Sequence, residues 1–414
     1  MTRCHNPINT QQQREHELLA LWYYRHPEVR AAREEVQSYW LDLVEPSPAM
    51  RQCFDRAFDE VMFGAVIWAL NQDPLYPRVI TISRVPHTLR GEQIPGSRWG
   101  LDNPDSIYRV IPISGDEQYV IRGRVAERRL VENYFTLWSE NMQTVGLLSG
   151  RDLEVDDQGY FEISVDSAPA NGRPNHIQTT DQAHEFYIRD VILDWAQDRA
   201  NELSVERLGG MPSRAPYSER ENLERIKAFM HKYATNTTRW NAQALDKPAN
   251  AFNFVIDRDS DGALRGQIYI LGHFDLPNEN SALLLDVSMG GAEYSIAPIT
   301  NVWGTTNAII ERPGCLNNHQ ARPNRDGTYT FVVSLRDPGI CNWLDPTDMS
   351  EGILTLRWAE FEGGRPSEDF VVKSLLVSLD DLDSCLPEGV AKVSPQERQR
   401  QLAERAQSYA WRLA

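Results

Sequence analysis

Asp156–His176, DDQGYFEISVDSAPANGRPNH, returns later in the chain as Asn324–Trp343, NRDGTYTFVVSLRDPGICNW. Setting Gly159 on Gly327 gives an offset of 168, and the same offset places Arg189 of EFYIRDVILDW on Arg357 of GILTLRWAEF. With one residue dropped, LSVERL (203–208) falls on FVVKSL (370–375). A turn, a strand, a Pro/Gly loop ending in Asn and a ring, an Arg-bearing strand and a closing strand therefore occur twice in one order. Two copies make a duplicated β module; a solenoid needs three or more repeats.

Working outward, residues 10–70 place Leu, Trp, Tyr, Val and Phe at three- and four-residue spacing, which predicts helices divided at Pro46–Pro48. The following stretch to Asp105 is rich in Pro and Gly and reads as a long connection. From Asp105 the period becomes two. SIYRVIPI, QYVIRGRV, NYFTLW, LEVDD, GYFEISV, HEFYIRDVIL and LSVERL read as strands. Ser218 with Glu221 forms a capping-box signature ahead of a helix through Leu245. Strands then resume to about Leu379, and Ser394 with Glu397 caps a last helix. The expected fold class is α+β: two homologous antiparallel, jelly-roll-like β-sandwich modules with N-terminal, linking and C-terminal helices. The expected division is 1–98 helical region and connection, 99–210 first module, 211–250 linking helix, 251–390 second module and 391–414 C-terminal helix.

The net charge of −17 repels phosphate backbones and anionic lipid, so neither nucleic acid nor membrane is an expected partner. No run approaches the roughly 18–20 apolar residues of a membrane span, and the N-terminus has no signal-like apolar segment; a cytoplasmic location is the expectation. Five cysteines (Cys4, Cys53, Cys315, Cys341, Cys385) are scattered, which predicts neither a disulfide framework nor a zinc site. Asp257–Gly262, DRDSDG, opens like a calcium loop, but Arg265 and Ile268 stand where later ligands belong, so it reads as a hairpin turn. Asp380–Asp383 reads as a strand-terminating charge cluster. No GxSxG, P-loop, HExxH or strand-borne GxGxxG is present. No metal and no cofactor is expected.

The polar candidates lie in loops. His319 with Arg322, and Arg336-Asp337 ahead of Trp343 and Asp345, are the richest groupings of the second module. In the first module Asp102, Asn103, Asp105, Tyr108 and Arg109, with Arg122 nearby, suit an Arg–carboxylate network. His176 occupies the repeated loop end where the second copy has Trp343.

Three stretches carry a family resemblance. NNHQARPNRDG (317–327), RDPGICNWLD (336–345) and EGILTLRW (351–358) resemble the C-terminal part of the family called domain of unknown function 1214 (DUF1214). EFYIRDVILDWAQDRANELSVERLG (185–209) is similar to its Arg strand, Asp-Trp turn and closing strand, and LDNPDSIYRVIPISGDEQYVIRGRV (101–125) to the opening of two-module bacterial members. The departures are Asn175-His176, where a Gly-Asn-Trp type loop is the family pattern, and Cys341 in place of Pro or Val. The resemblance implies paired β-sandwich modules and no established activity; members look like companions of lipid, steroid or natural-product metabolism.

The functional expectation is binding of a small hydrophobic metabolite, such as a lipid, terpenoid or steroid-like compound, with cofactor-free acid–base chemistry of the lyase, isomerase, cyclase or hydrolase type as its catalytic form. His319 or Asp337 would be the base, with Arg322 and Arg336 steadying negative charge. Trp343, Asp345, Arg357, His176, Tyr108 and Arg109 would contact the substrate. The alternative is a non-catalytic interaction or assembly protein, and homo-oligomerisation is open to either. In both readings the parts shared by the copies serve as scaffold, and function lies where the copies differ.

Overall fold

A computed structural model describes residues 6–252, 267–367 and 370–413; Cys4, His5 and the calcium-like Asp257–Gly262 lie outside the described residues. The chain opens with α1 (Gln11–Tyr24), α2 (Pro27–Val44), the single turn α3 (Pro48–Gln52) and α4 (Phe54–Ala69). From Val61 onward α4 is apolar on every side and buried, while Asp55, Arg56 and Asp59 of its first turns are exposed. The Pro/Gly-rich connection is more structured than its composition predicts. It holds β1 (Ile80–Thr81) and a hairpin of β2 (His87–Leu89) and β3 (Glu92–Ile94), turned by Arg90 and Gly91, both at positive φ.

The first module contains β4 (Ser106–Pro112), β5 (Gln118–Arg124), β6 (Asn133–Trp138), β7 (Thr144–Ser149), β8 (Tyr160–Asp166), β9 (His176–Gln178), β10 (Glu185–Val191) and β11 (Glu202–Leu208). α5 (Glu219–Leu245) follows, with the Ser218–Glu221 capping box formed as the sequence predicts. The second module contains β12 (Gln267–Asp275), β13 (Ser281–Val287), β14 (Ala292–Thr300), β15 (Cys315–Asn317), β16 (Tyr329–Ser334), β17 (Trp343–Leu344), β18 (Glu351–Phe361) and β19 (Val372–Ser378). α6 (Leu382–Cys385) and α7 (Pro395–Tyr409) complete the chain, α7 with its own capping box at Ser394 and Glu397.

The two modules share one topology. The first pairs β1-β4-β10-β6-β7 in one sheet and β11-β5-β8-β9 in the other; the second pairs β12-β18-β14-β15 and β19-β13-β16-β17. Within the mainly antiparallel scheme each copy carries one short parallel pair, Ser164 beside His176 and Val332 beside Trp343. The repeated turn is the same to the backbone angle: Gly159 has φ +82 and Gly327 φ +83, a left-handed geometry that glycine adopts freely. LEVDD is not a strand, and β7, TVGLLS, was not legible because half-exposed residues blur its alternation. β19 begins two residues later than the FVVKSL match.

Each sandwich has its own apolar interior. Phe135, Phe161, Ile163, Phe186 and Ile188 fill the first, and Leu283, Leu285, Phe331, Leu354, Leu356 and Trp358 the second. The sheets containing β10 and β18 turn their other faces toward one another, and the packed α1, α2, α4 and α5 close one side of that seam with Tyr108, Val110, Trp138 and Ile353. Among the described residues no helix is long and apolar enough to cross a membrane.

Candidate functional site

The seam follows from strand alternation. In β10, Phe186 and Ile188 enter the first sandwich, so Tyr187 and Arg189 project to the opposite face. In β18, Leu354, Leu356 and Trp358 enter the second, which sends Thr355 and Arg357 the other way. The two arginines that the 168-residue offset superimposes thus face one space from opposite modules. Register adds Tyr108 and Tyr134 beside Arg189, and Tyr269 beside Arg357.

Both guanidiniums are buried, at 1% and 6% exposure. Arg189 is ion-paired through Nη2 with Glu132, itself buried, while its Nε and Nη1 make no hydrogen bond. Arg357 donates through Nη2 to the Leu101 carbonyl, and its Nε has no partner. The Tyr134 ring lies 5.8 Å from the Arg189 guanidinium and the Tyr269 ring 5.3 Å from that of Arg357. Gln267 bridges the modules: its amide donates to Glu132 at 2.6 Å and its carbonyl accepts from the Tyr269 hydroxyl. Burial pushes the Glu132 carboxyl above the usual carboxylate range, opposed by the Arg189 charge and the Gln267 amide. Burial likewise raises Tyr187 and Tyr269, so both remain phenols.

An aromatic wall adjoins this charge. Trp138 stacks on Tyr187 at 4.1 Å, Tyr108 lies 5.3 Å from the same ring, and Trp68 5.9 Å away. Trp99 and Tyr233 stack at 3.7 Å beyond Trp68. The Trp68 indole donates to Glu185 at 2.8 Å. Tyr187 and Tyr269 are only half-buried although their neighbours on both sheets are buried, and the Tyr187 hydroxyl makes no hydrogen bond among the described residues.

A second polar group pins the modules together. Asp105 is fully buried and accepts from the Trp195 indole at 2.7 Å, the Tyr294 hydroxyl at 2.9 Å and the Asn317 amide at 3.0 Å. Every oxygen is satisfied, so Asp105 reads as a structural anchor.

Of the residues chosen from sequence, Arg357 and Tyr108 belong to the seam. The four proposed for catalysis do not come together. Among the described residues no hydrogen bond or ion pair joins any two of His319, Asp337, Arg322 and Arg336. His319 is exposed, with Nε2 3.7 Å from Asp194. Asp337 pairs with Arg398 of α7 at 2.8 Å and accepts from the Gly339 N–H, so it fixes a turn and a helix rather than pairing with Arg336. Arg336 is exposed and donates to Glu279 and Asn280. Arg322 is exposed, and its backbone is held by Asn342.

The remaining candidates make contacts within their own modules or with α7, away from the seam arginines. Trp343 donates to the Ser334 carbonyl under Arg398, and Asp345 takes a two-pronged bond from Arg312 at 2.6 and 2.8 Å. His176, on the outer sheet of the first module, bonds Ser164 and the Ala168 carbonyl, each at 2.8 Å. Arg109 pairs with Asp190 at 2.5 Å and with the Asn201 carbonyl. Arg122 stands apart from that pair, on the surface with Glu162 and Glu206.

Sequence reading missed Arg189 as a site residue, together with Glu132, Tyr187, Tyr269 and Gln267. The available signal was the repeat itself: a polar Arg held in both copies of a strand whose neighbouring positions are apolar.

No protein-family model matches the chain, and no curated protein matches it. Among solved structures, an uncharacterized protein from Burkholderia cenocepacia is similar over 88% of this chain and 99% of its own, at 21% identity and a TM-score of 0.74. The VPA0106 protein from Vibrio parahaemolyticus aligns over 78% of this chain and 99% of its own, at 11% identity and a TM-score of 0.45. The first likeness is one of fold: the α+β arrangement of paired sheet modules is shared with a solved protein.

Proposed function

We propose that the seam between the modules binds a small, largely apolar metabolite against Tyr108, Trp138 and Tyr187. The observation that carries this reading is Tyr187, whose half-buried ring and unbonded hydroxyl sit among the buried rings of Trp68, Tyr108 and Trp138. Aromatic walls with a few convergent polar groups are the usual composition of small-molecule sites. Chemistry on the bound molecule would run through Glu132, a seam carboxyl whose proton affinity burial raises, and not through the exposed His319. Membership of the DUF1214 family belongs to the same proposal, on the motifs quoted above.

The test is native mass spectrometry of the purified protein, with Tyr187→Ala as the comparison. Retention of a small molecule by the wild type and its loss from a folded variant is the expected outcome. An empty wild type with no tryptophan-fluorescence response to apolar probes overturns the reading. The assembly alternative has one observation in its favour: Leu375 and Leu376 are exposed on β19, at the edge of its sheet. Sedimentation that finds a stable oligomer broken by Leu375→Lys would favour it.

A further inference from the structure

We infer that the seam ligand carries a carboxylate, held between Arg189 and Arg357. This rests on the binding role proposed above and names the chemistry of what binds. Two buried guanidiniums face the seam, and one carboxylate, Glu132, touches one of them. Arg357 makes no ion pair among the described residues. Nε and Nη1 of Arg189 and Nε of Arg357 are buried without a hydrogen-bond partner. Both charges act on each other and on the same two phenols, Tyr108 and Tyr269. A buried cation without a contacting counter-charge is costly; Arg189 has Glu132, whereas Arg357 has the buried Asp102 only beyond ion-pair distance and is short of one contacting carboxylate.

A single carboxylate supplies that charge. It is planar, takes paired N–H donors along a guanidinium edge, and leaves its apolar body to the Trp138–Tyr187 wall. Arg189 is met by Glu132, and Arg357 by no contacting carboxylate among the described residues, the buried Asp102 acting on it only at longer range, so a monoanion at Arg357 suffices and a phosphate dianion overshoots. The Tyr187 hydroxyl, which makes no hydrogen bond among the described residues and feels both arginines, is a further donor for the ligand.

The test uses the full-length protein titrated calorimetrically with 4-phenylbutyrate, its neutral amide 4-phenylbutanamide, and phenyl phosphate. The carboxylate is expected to bind about ten- to a hundredfold more tightly than the amide, as charged hydrogen bonds do. Arg189→Gln strands Glu132 and risks unfolding, so Arg357→Gln carries the test, with thermal unfolding as the check on its fold. It should bring the carboxylate to the level of the amide, weakening the acid by about ten- to a hundredfold and the amide by much less. Equal binding of acid and amide by the wild type overturns the carboxylate but leaves the apolar site standing. Tighter binding of phenyl phosphate overturns the monoanion assignment. No binding of any probe overturns both readings.

Discussion

Arg189 and Arg357 occupy equivalent positions in the two copies but not equivalent electrostatic settings. Arg189 touches Glu132, whereas Arg357 has a carbonyl and no carboxylate partner. Removing one member of a buried pair strands the other, at a cost of about 3–5 kcal/mol, while removing Arg357 strands no charge and at most the Leu101 carbonyl. Arg189→Gln should therefore lower the free energy of unfolding by about that amount. Arg357→Gln should leave it unchanged or raise it, measured by guanidinium denaturation of the ligand-free protein. A large loss in Arg357→Gln would mean that the Leu101 contact and the Tyr269 ring already compensate the charge. At this scale sequence reading found Arg357 and Tyr108 and missed their partners for a physical reason. Tyr187, Glu132 and Tyr269 become neighbours only through strand register, and nothing local in their segments marks them. His319 and Asp337 looked chemical because loops with polar residues do, yet their side chains serve a surface contact and a helix dock.

At the level of elements, α1 and α4 are joined by a titratable contact. His16 is buried, its Nε2 lies 2.8 Å from the Ile67 carbonyl, and burial, with Arg78 adding to it, lowers its pKa from 6.5 to about 3. The unfolded chain binds that proton below 6.5 and the folded chain does not until about 3. Stability should then fall by about 1.4 kcal/mol per pH unit as acid is added below 6.5. Glu17, lowered to about 2 against its own burial by His87 and Arg84, adds a second loss as pH falls below 4.5. His16→Gln keeps a donor for Ile67 and removes the first loss only. Its urea-unfolding free energy should stay level between pH 6.5 and 4.5, where the wild type declines; parallel curves would sink the assignment.

The repeated turns allow a paired test as well. Gly159→Ala and Gly327→Ala each force an L side chain to positive φ, costing about 1 kcal/mol. A Cβ at Gly159 also meets Val125 at 3.0 Å, whereas nothing lies within 4 Å at Gly327, so the first variant should be the weaker one in thermal unfolding. The elements themselves were largely legible, since helix caps and period-two strands are local signals. The β2–β3 hairpin, β7 and β15 escaped because each is short and its pattern is set by what it packs against.

For the whole molecule, duplication was legible but the seam was not. An offset between copies reports that two modules exist and says nothing of which faces meet. Because Tyr187-x-Arg189 and Arg357 project from the sandwiches toward each other, the shared strands line the proposed site as well as forming the scaffold, and that proposal runs against the expectation that chemistry lies in the mismatches. The seam is also too polar to come apart quietly. Separating the modules would leave Asp105 without Tyr294 and Asn317, and Glu132 without Gln267. Each stranded buried group costs about 1–3 kcal/mol until water reaches it. The modules should therefore unfold together, in one calorimetric transition whose van't Hoff and calorimetric enthalpies agree. Tyr294→Phe removes one donor to Asp105 and should lower stability by about 1–3 kcal/mol while the transition stays single. Two resolved transitions in the wild type would mean that the sandwiches fold independently, and that the seam is a contact between finished modules rather than part of what holds each one together.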